Sequence, residues 1–161
     1  MIHKTAIIDN KAKISSSVKI GAYSIIGPNV EIYEDTVIDT HVNISGYTRI
    51  GKQNKIYPFA SIGTAPQDIK YNNEKTYLTI DDNNTIREYV TINPGTVGGG
   101  GLTKLGSNNL IMISSHIAHD CTVGNNTVIA NNAAIAGHAQ IEDNVIIGGN
   151  CGIQQFTRIG K

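Results

Sequence analysis

MIHKTAIIDNKAKISSSVKIGAYSIIGPNV, residues 1–30, carries isoleucine at Ile2, Ile8, Ile14, Ile20 and Ile26, and the spacing continues without a miss through Ile32, Ile38, Ile44, Ile50 and Ile56 to Ile62. A period of six matches neither the turn of an α-helix, about 3.6 residues, nor the alternation of an extended strand. Each hexad is therefore one short strand plus one corner, and a run of such units predicts a β-helix. The period returns as Ile80, Ile86 and Ile92, and again as Leu105, Ile111, Ile117, Val123, Ile129, Ile135, Ile141, Ile147, Ile153 and Ile159. Nearly the whole chain reads as one solenoid.

Four residues after these positions stand small or β-branched side chains, among them Ala12, Val18, Val30, Thr36, Val42, Thr127, Ala133 and Val145. They fit inside the corner beside the isoleucine. Between them lie turn formers such as Gly124-Asn125-Asn126 and Asp143-Asn144, which tolerate the positive φ of a tight corner. Stacked isoleucines supply the core, at roughly 1.5–3 kcal/mol for each buried aliphatic side chain. Cys121 and Cys151 both fall in the small inward slot, on different walls, so two buried reduced thiols are predicted and no disulfide.

The formal charges balance, tryptophan is absent, and no apolar run is long enough to span a membrane. No basic block points to nucleic acid, and the repeat begins at Ile2 without a leader. A soluble cytoplasmic protein starting at residue 1 is the expectation.

Two interruptions break the period, near 64–77 and 93–104. Insertions in a solenoid commonly lie on one functional face. The first replaces buried slots with Gln67, Asp68, Lys70, Tyr71, Glu74 and Lys75. The second holds Gly98, Gly99, Gly100 and Gly101, and Ile92 to Leu105 is thirteen residues rather than twelve, which predicts a register shift and a loop leaving the helix. No Gly-Lys-Ser/Thr closes it, so a cover over a site is expected rather than a phosphate loop.

His116, His119 and His138 cluster between the second interruption and the end of the chain. His119 and Asp120 follow Ile117 by two and three positions, so both should stand at a corner and point outward. Adjacent coils lie about 4.8 Å apart, so three hexads later Gly137 stacks on His119 and His138 on Asp120, with Gln155 and Phe156 one coil further. Such a ridge suits general-base catalysis, in which an imidazole takes a proton and a carboxylate fixes its tautomer. His3 and His41 read as exposed corner residues without partners, and Arg158 as solvated charge within reach of a phosphate near the ridge.

The alternation of aliphatic residue, small residue and corner resembles the left-handed parallel β-helix of hexapeptide-repeat acyltransferases. The handedness is implied by that resemblance; the general rule for parallel crossovers is right-handed. Ser115-His116-Ile117-Ala118-His119-Asp120-Cys121-Thr122-Val123-Gly124 resembles the catalytic segment of the bacterial UDP-N-acetylglucosamine acyltransferases, which begin lipid A synthesis. Matching stretches include Ala60-Ser61-Ile62-Gly63, Gln67-Asp68-Ile69-Lys70-Tyr71, Arg87-Glu88, Gly95-Thr96, Gly99 to Lys104, and Ala136-Gly137-His138.

The resemblance implies an all-β chain whose residues 1–161 form one β-helix domain, lacking the family's C-terminal coils and helical domain. It implies transfer of a 3-hydroxyacyl chain from acyl carrier protein to the 3-hydroxyl of UDP-N-acetylglucosamine, by a homotrimer, without metal or other cofactor. His119 would be the base, Asp120 its orienting partner and the Gly137 N–H the oxyanion donor. His116 and His138 would contact substrates, Gln67 and Asp68 the sugar, and Lys70 and Gln155 the nucleotide or nearby groups. Asn93 and Gln154 stand where the family has histidine, which leaves open a 3-hydroxy or a 3-amino acceptor. Other readings are a later N-acyltransferase of the same pathway, for whose N-terminal uridine-binding domain there is no room, a zinc enzyme of the γ-carbonic-anhydrase type using His116, His119 and His138, and a non-catalytic trimeric scaffold.

Overall fold

The computed structural model describes residues 1–160. The chain is a left-handed parallel β-helix with three flat faces, each a parallel sheet. The first face runs from Ile7–Ile8 through Ser61–Ile62, Thr91–Ile92, His116–Ile117 and Ala134–Ile135 to Gly152–Ile153. The second runs from Lys13–Ile14 through Tyr47–Ile50, Tyr77–Ile80 and Leu102–Leu105 to Arg158–Ile159, and the third from Lys19–Ile20 to Ile146–Ile147.

Most strands are two residues long, the second being the periodic aliphatic residue, and these stack in register as Ile26 on Ile44, Ile44 on Ile62 and Ile62 on Ile92. The columns are buried from Ile20 to Ile147, with Val18, Val30, Val42, Val90 and Ala133 in the small slots. Cys121 is buried as expected, and burial pushes its thiol up to about 11. Cys151 departs from expectation: it is exposed, in the last described coil.

Corners hold the positive φ that their composition implies, at Asn126 and Asn144 but also at Tyr23, His41, Phe59 and Tyr89. These four form an exposed ridge of stacked rings, with centroids 5.1 Å apart at every step. His41 is therefore not the partnerless residue expected. A bulky residue with positive φ is strained, and ring stacking, worth about 0.5–1.5 kcal/mol per pair, offsets part of that strain. His3 also has a partner, with Nδ1 2.9 Å from Thr5 Oγ1.

At the corner between the second and third faces the small slot is filled by a polar column. Asn54 Oδ1 accepts from the Asn84 N–H, Asn84 Oδ1 from the Asn109 N–H, and Asn109 Oδ1 from both the N–H and hydroxyl of Thr127. Their amides donate to the carbonyls of Asp81, Gly106 and Gly124, so these buried groups are satisfied. Here asparagine serves inside the coil as well as at the turn.

Both interruptions leave the first face and return to the second, so they emerge at one corner. The expected register shift is absent: Ile80 pairs with Ile50 below and Leu105 above, and Leu105 with Val123. The loops absorb the extra residues.

Ile62 is wholly buried at mid-column. Ile62→Ala should lower stability by about 2–5 kcal/mol, the range for truncating a core aliphatic chain. Denaturant unfolding measures this directly, and a loss below about 1 kcal/mol would contradict a close-packed column.

Candidate active site

The corner that releases both loops is formed downstream by residues 118–121, 136–139 and 154–157, so one ridge carries His119, His138 and Phe156. Asp120, His138 and Phe156 all have positive φ there, at 59°, 63° and 61°. The His138 ring lies flat on Phe156, centroids 4.4 Å apart, and meets the His119 ring edge-on at 5.1 Å.

His119 and Asp120 do not point into solvent as expected. Their side chains are only 9% and 1% exposed, because the 93–101 loop folds back over them. His119 Nδ1 lies 2.8 Å from Asp120 Oδ2. The same carboxylate accepts the Thr96 N–H at 2.8 Å and the Thr96 hydroxyl at 2.6 Å, while the Asp120 N–H donates to Thr103 Oγ1 at 2.7 Å. A Cβ on Gly99 would fall within the Asp120 carboxyl group, so only glycine lets the loop sit this close. The glycine run is a lid over an anion.

With Nδ1 committed to the carboxylate, the free ring nitrogen is Nε2. It faces Gly137: a Cβ there would lie 2.5 Å from His119 Cε1 and 2.7 Å from Nε2. Among the described residues the Gly137 N–H has no hydrogen-bond partner, while its carbonyl accepts from Phe156. The uncommitted ring nitrogen thus lies against Gly137, whose N–H is open among the described residues.

Gln67, His116, His119, Gly137 and Gln155 line one cleft of about 440 Å³, with Asn93 and Gln154. His116, Ala134 and Gly152, stacked in register, lie along one of its walls. Asp68, Lys70 and His138 line a neighbouring cleft with Phe156 and the edge of the glycine loop. The predicted residues are thus split between two clefts, with Asp120 buried beneath the loop. Arg158 belongs to neither and pairs with Glu142 at 2.6 Å.

Sequence reasoning missed the supporting threonines and the work of Asn93. Thr91 Oγ1 bonds His116 Nδ1 at 2.7 Å and fixes that ring. The Asn93 amide donates to the carbonyls of Thr64 at 3.0 Å and Ala65 at 3.4 Å, anchoring the root of the first loop. A buried carboxylate demands donors, so a hydroxyl in the covering loop was the available signal.

The zinc alternative named His116, His119 and His138, and the structure does not gather those three. His119, Asp120 and His138, not His116, present ligand atoms within 4.8 Å of one another. Asp120 Oδ2 is already engaged by Thr96 and His119, and His138 Nε2 stands 4.0 Å from it. Both Asp120 oxygens already have hydrogen-bond partners within the chain.

The description "Bacterial transferase hexapeptide (six repeats)" matches residues 102–137. Over 160 residues the chain is 54% identical to the acyl-[acyl-carrier-protein]--UDP-N-acetylglucosamine O-acyltransferase of Herminiimonas arsenicoxydans, covering 99% of this chain and 61% of that protein. The LpxA structure from Acinetobacter baumannii superposes with a TM-score of 0.97 at 53% identity, over 98% of this chain and 61% of that one. LpxA from Bacteroides fragilis, a UDP-N-acetylglucosamine acyltransferase, gives 0.73 at 41%, over 100% and 68%. The chain belongs to the UDP-N-acetylglucosamine acyltransferase family. It spans about three fifths of the length of the first two relatives. Family membership gives the ridge its context, since these residues lie in the part of the chain that the relatives share.

His116 has its pKa held below the ordinary value of 6.5, by burial first and by the charge of His119 second. The unfolded chain therefore binds this proton more readily than the folded one, so stability falls as pH drops below about 6.5. The loss should level off once the folded His116 itself protonates. Thermal unfolding between about pH 5 and 8 should show this slope, reduced in His116→Gln; equal slopes would exclude His116 as its source.

Proposed function

We propose that this chain carries the acyl-transfer site of a UDP-N-acetylglucosamine O-acyltransferase. A 3-hydroxyacyl chain passes from acyl carrier protein to the sugar 3-hydroxyl, the first step of lipid A biosynthesis. The observation that carries the reading is the His119 ring, held by Asp120 through Nδ1 and packed closely on Gly137, whose N–H is unpaired among the described residues. In this mechanism Nε2 removes the proton of the 3-hydroxyl as its oxygen attacks the thioester carbonyl carbon. The carbonyl oxygen gains negative charge and accepts from the Gly137 N–H, a donor fixed before the charge appears. Collapse breaks the carbon–sulfur bond, and the imidazolium returns its proton to the departing thiolate. Asp120, with Thr96 and Thr103 behind it, holds the tautomer throughout.

Gln67 and Gln155 border the His119 cleft, and His116 is fixed along one of its walls; these are the groups proposed to contact the reacting sugar and thioester. Asp68, Lys70 and His138 line the adjoining cleft, with Lys70 the cation suited to a phosphate. No step requires a metal.

A homotrimer in the cytoplasm completes the proposal. The second face mixes the charges of Lys13, Glu31, Arg49, Lys104 and Arg158 with exposed Tyr77 and Leu102, whereas the ridge of Tyr23, Phe59 and Tyr89 carries no such charge and is flanked by exposed Ile7 and Ile25. That contrast favours self-association along the ridge, with one copy's cleft facing the next. Among the described residues no helix is long and apolar enough to cross a membrane.

Turnover of UDP-N-acetylglucosamine with 3-hydroxyacyl carrier protein tests the chemistry, on this chain and on the protein at the family's full length. His119→Ala should lower kcat by about 10²–10⁴ with little change in unfolding temperature. Undiminished turnover in that variant would overturn the assignment, and faster use of the 3-amino sugar would redirect the acceptor. Sedimentation equilibrium tests assembly: Phe59→Asp with Tyr89→Asp, acidic residues suited to positive φ, should shift trimer toward monomer. An unchanged mass would remove the ridge from the interface.

A further inference from the structure

A cavity of about 620 Å³ opens on the second face and contains none of the residues assigned above. The glycine loop is one of its walls, through Val97, Gly100 and Gly101, and Val97 also borders the cleft of Asp68 and Lys70. Thr48, Thr76 and Leu78 are the buried floor, while Tyr77, Val97 and Leu102 leave apolar surface exposed around it. The volume lies within the range of small-molecule sites, about 300–1,000 Å³, and the lining has the usual mixture of apolar wall and few polar groups.

Two cations in the lining, Lys75 and Arg49, favour an anion. Lys75 Nζ sits 4.8 Å from the centre of the Tyr47 ring and 5.9 Å from that of Tyr77, and Arg49 lies over Tyr33 at 4.9 Å. Among the described residues neither cation forms a salt bridge with a carboxylate. Glu31, the acid in this lining, is paired with Lys13 at 2.6 Å and hydrogen-bonded by the Tyr33 hydroxyl. A ligand with an apolar tail and one anionic head suits the two cations and the apolar rim.

We propose that this groove binds a free fatty carboxylate, its chain along Tyr77, Val97 and Leu102 and its head on Lys75 and Arg49. The site is separate from the acyl-transfer site and does not rest on that assignment. Charge selects the head, because a carboxylate gains charge-assisted hydrogen bonds that an alcohol of equal length does not. The exposed apolar rim selects the tail.

Isothermal titration of the chain with dodecanoate, kept below its micelle-forming concentration, tests the proposal. One dodecanoate per chain is expected, with weaker binding of dodecanol. Lys75→Gln with Arg49→Gln should weaken dodecanoate by at least about tenfold, while His138→Ala leaves it unchanged. Thermal unfolding of both variants checks that the fold is kept, and Leu102→Ser, which shortens only the rim, should weaken binding with both cations in place. The proposal is overturned by absence of saturable binding, as when a second copy covers the groove. It is also overturned by equal affinity for dodecyltrimethylammonium, or by loss of binding in His138→Ala instead of in the Lys75 and Arg49 variant.

Discussion

Every backbone group at a strand in this molecule depends on the coil above or below it. Two residues of strand cannot hold themselves straight, and their hydrogen bonds run only to neighbours a full coil away, as Ile7 N–H to Ser24 and Ala118 N–H to Ile135. Stability is therefore a sum over coil interfaces, each made of aliphatic columns and, at one corner, an asparagine column. That constraint explains why the aliphatic period is so strict and why both insertions return in register: a single slipped residue would turn a buried column outward.

The site exploits the part of the coil that the constraint leaves free. Corners need only a tolerated φ and one inward side chain, so the other positions can carry chemistry. At one corner these positions hold His119, Asp120, Gly137 and His138, and the loops from the coils below fold over them. Burial of Asp120 removes competing water, and Thr96 and Thr103 replace it with fixed donors. A carboxylate so held keeps the imidazole in one orientation without rearrangement, which is what a base acting on a weak nucleophile requires.

The solenoid, its buried columns and the approach of His138 to Asp120 were legible in the sequence, because a strict repeat converts sequence spacing into spatial distance. The covering of His119 and Asp120 was not, since the path of a glycine-rich loop is set by contacts outside the repeat. For the same reason Asn93, in that segment, showed no sign of its anchoring role, and the Thr96 hydroxyl was a signal only once the loop was known to cover Asp120. Ring stacking along Tyr23, His41, Phe59 and Tyr89 was present as an arithmetic series up to Phe59, then hidden by the first insertion before Tyr89. Asparagine was read as a turn former, and its second use inside the coil emerged only from the hydrogen bonds.

Because the ladder closes identically beneath each loop, the loops behave as interchangeable cassettes mounted on a rigid mast. Ile80 and Leu105 fix where each cassette ends, whatever lies between. Outside the residues that hold Asp120 and anchor the loop roots, length and composition there can change without loss of a single buried column, in steps that each leave a folded protein. The corner can change what it presents while the His119 and Asp120 pair beneath stays in place.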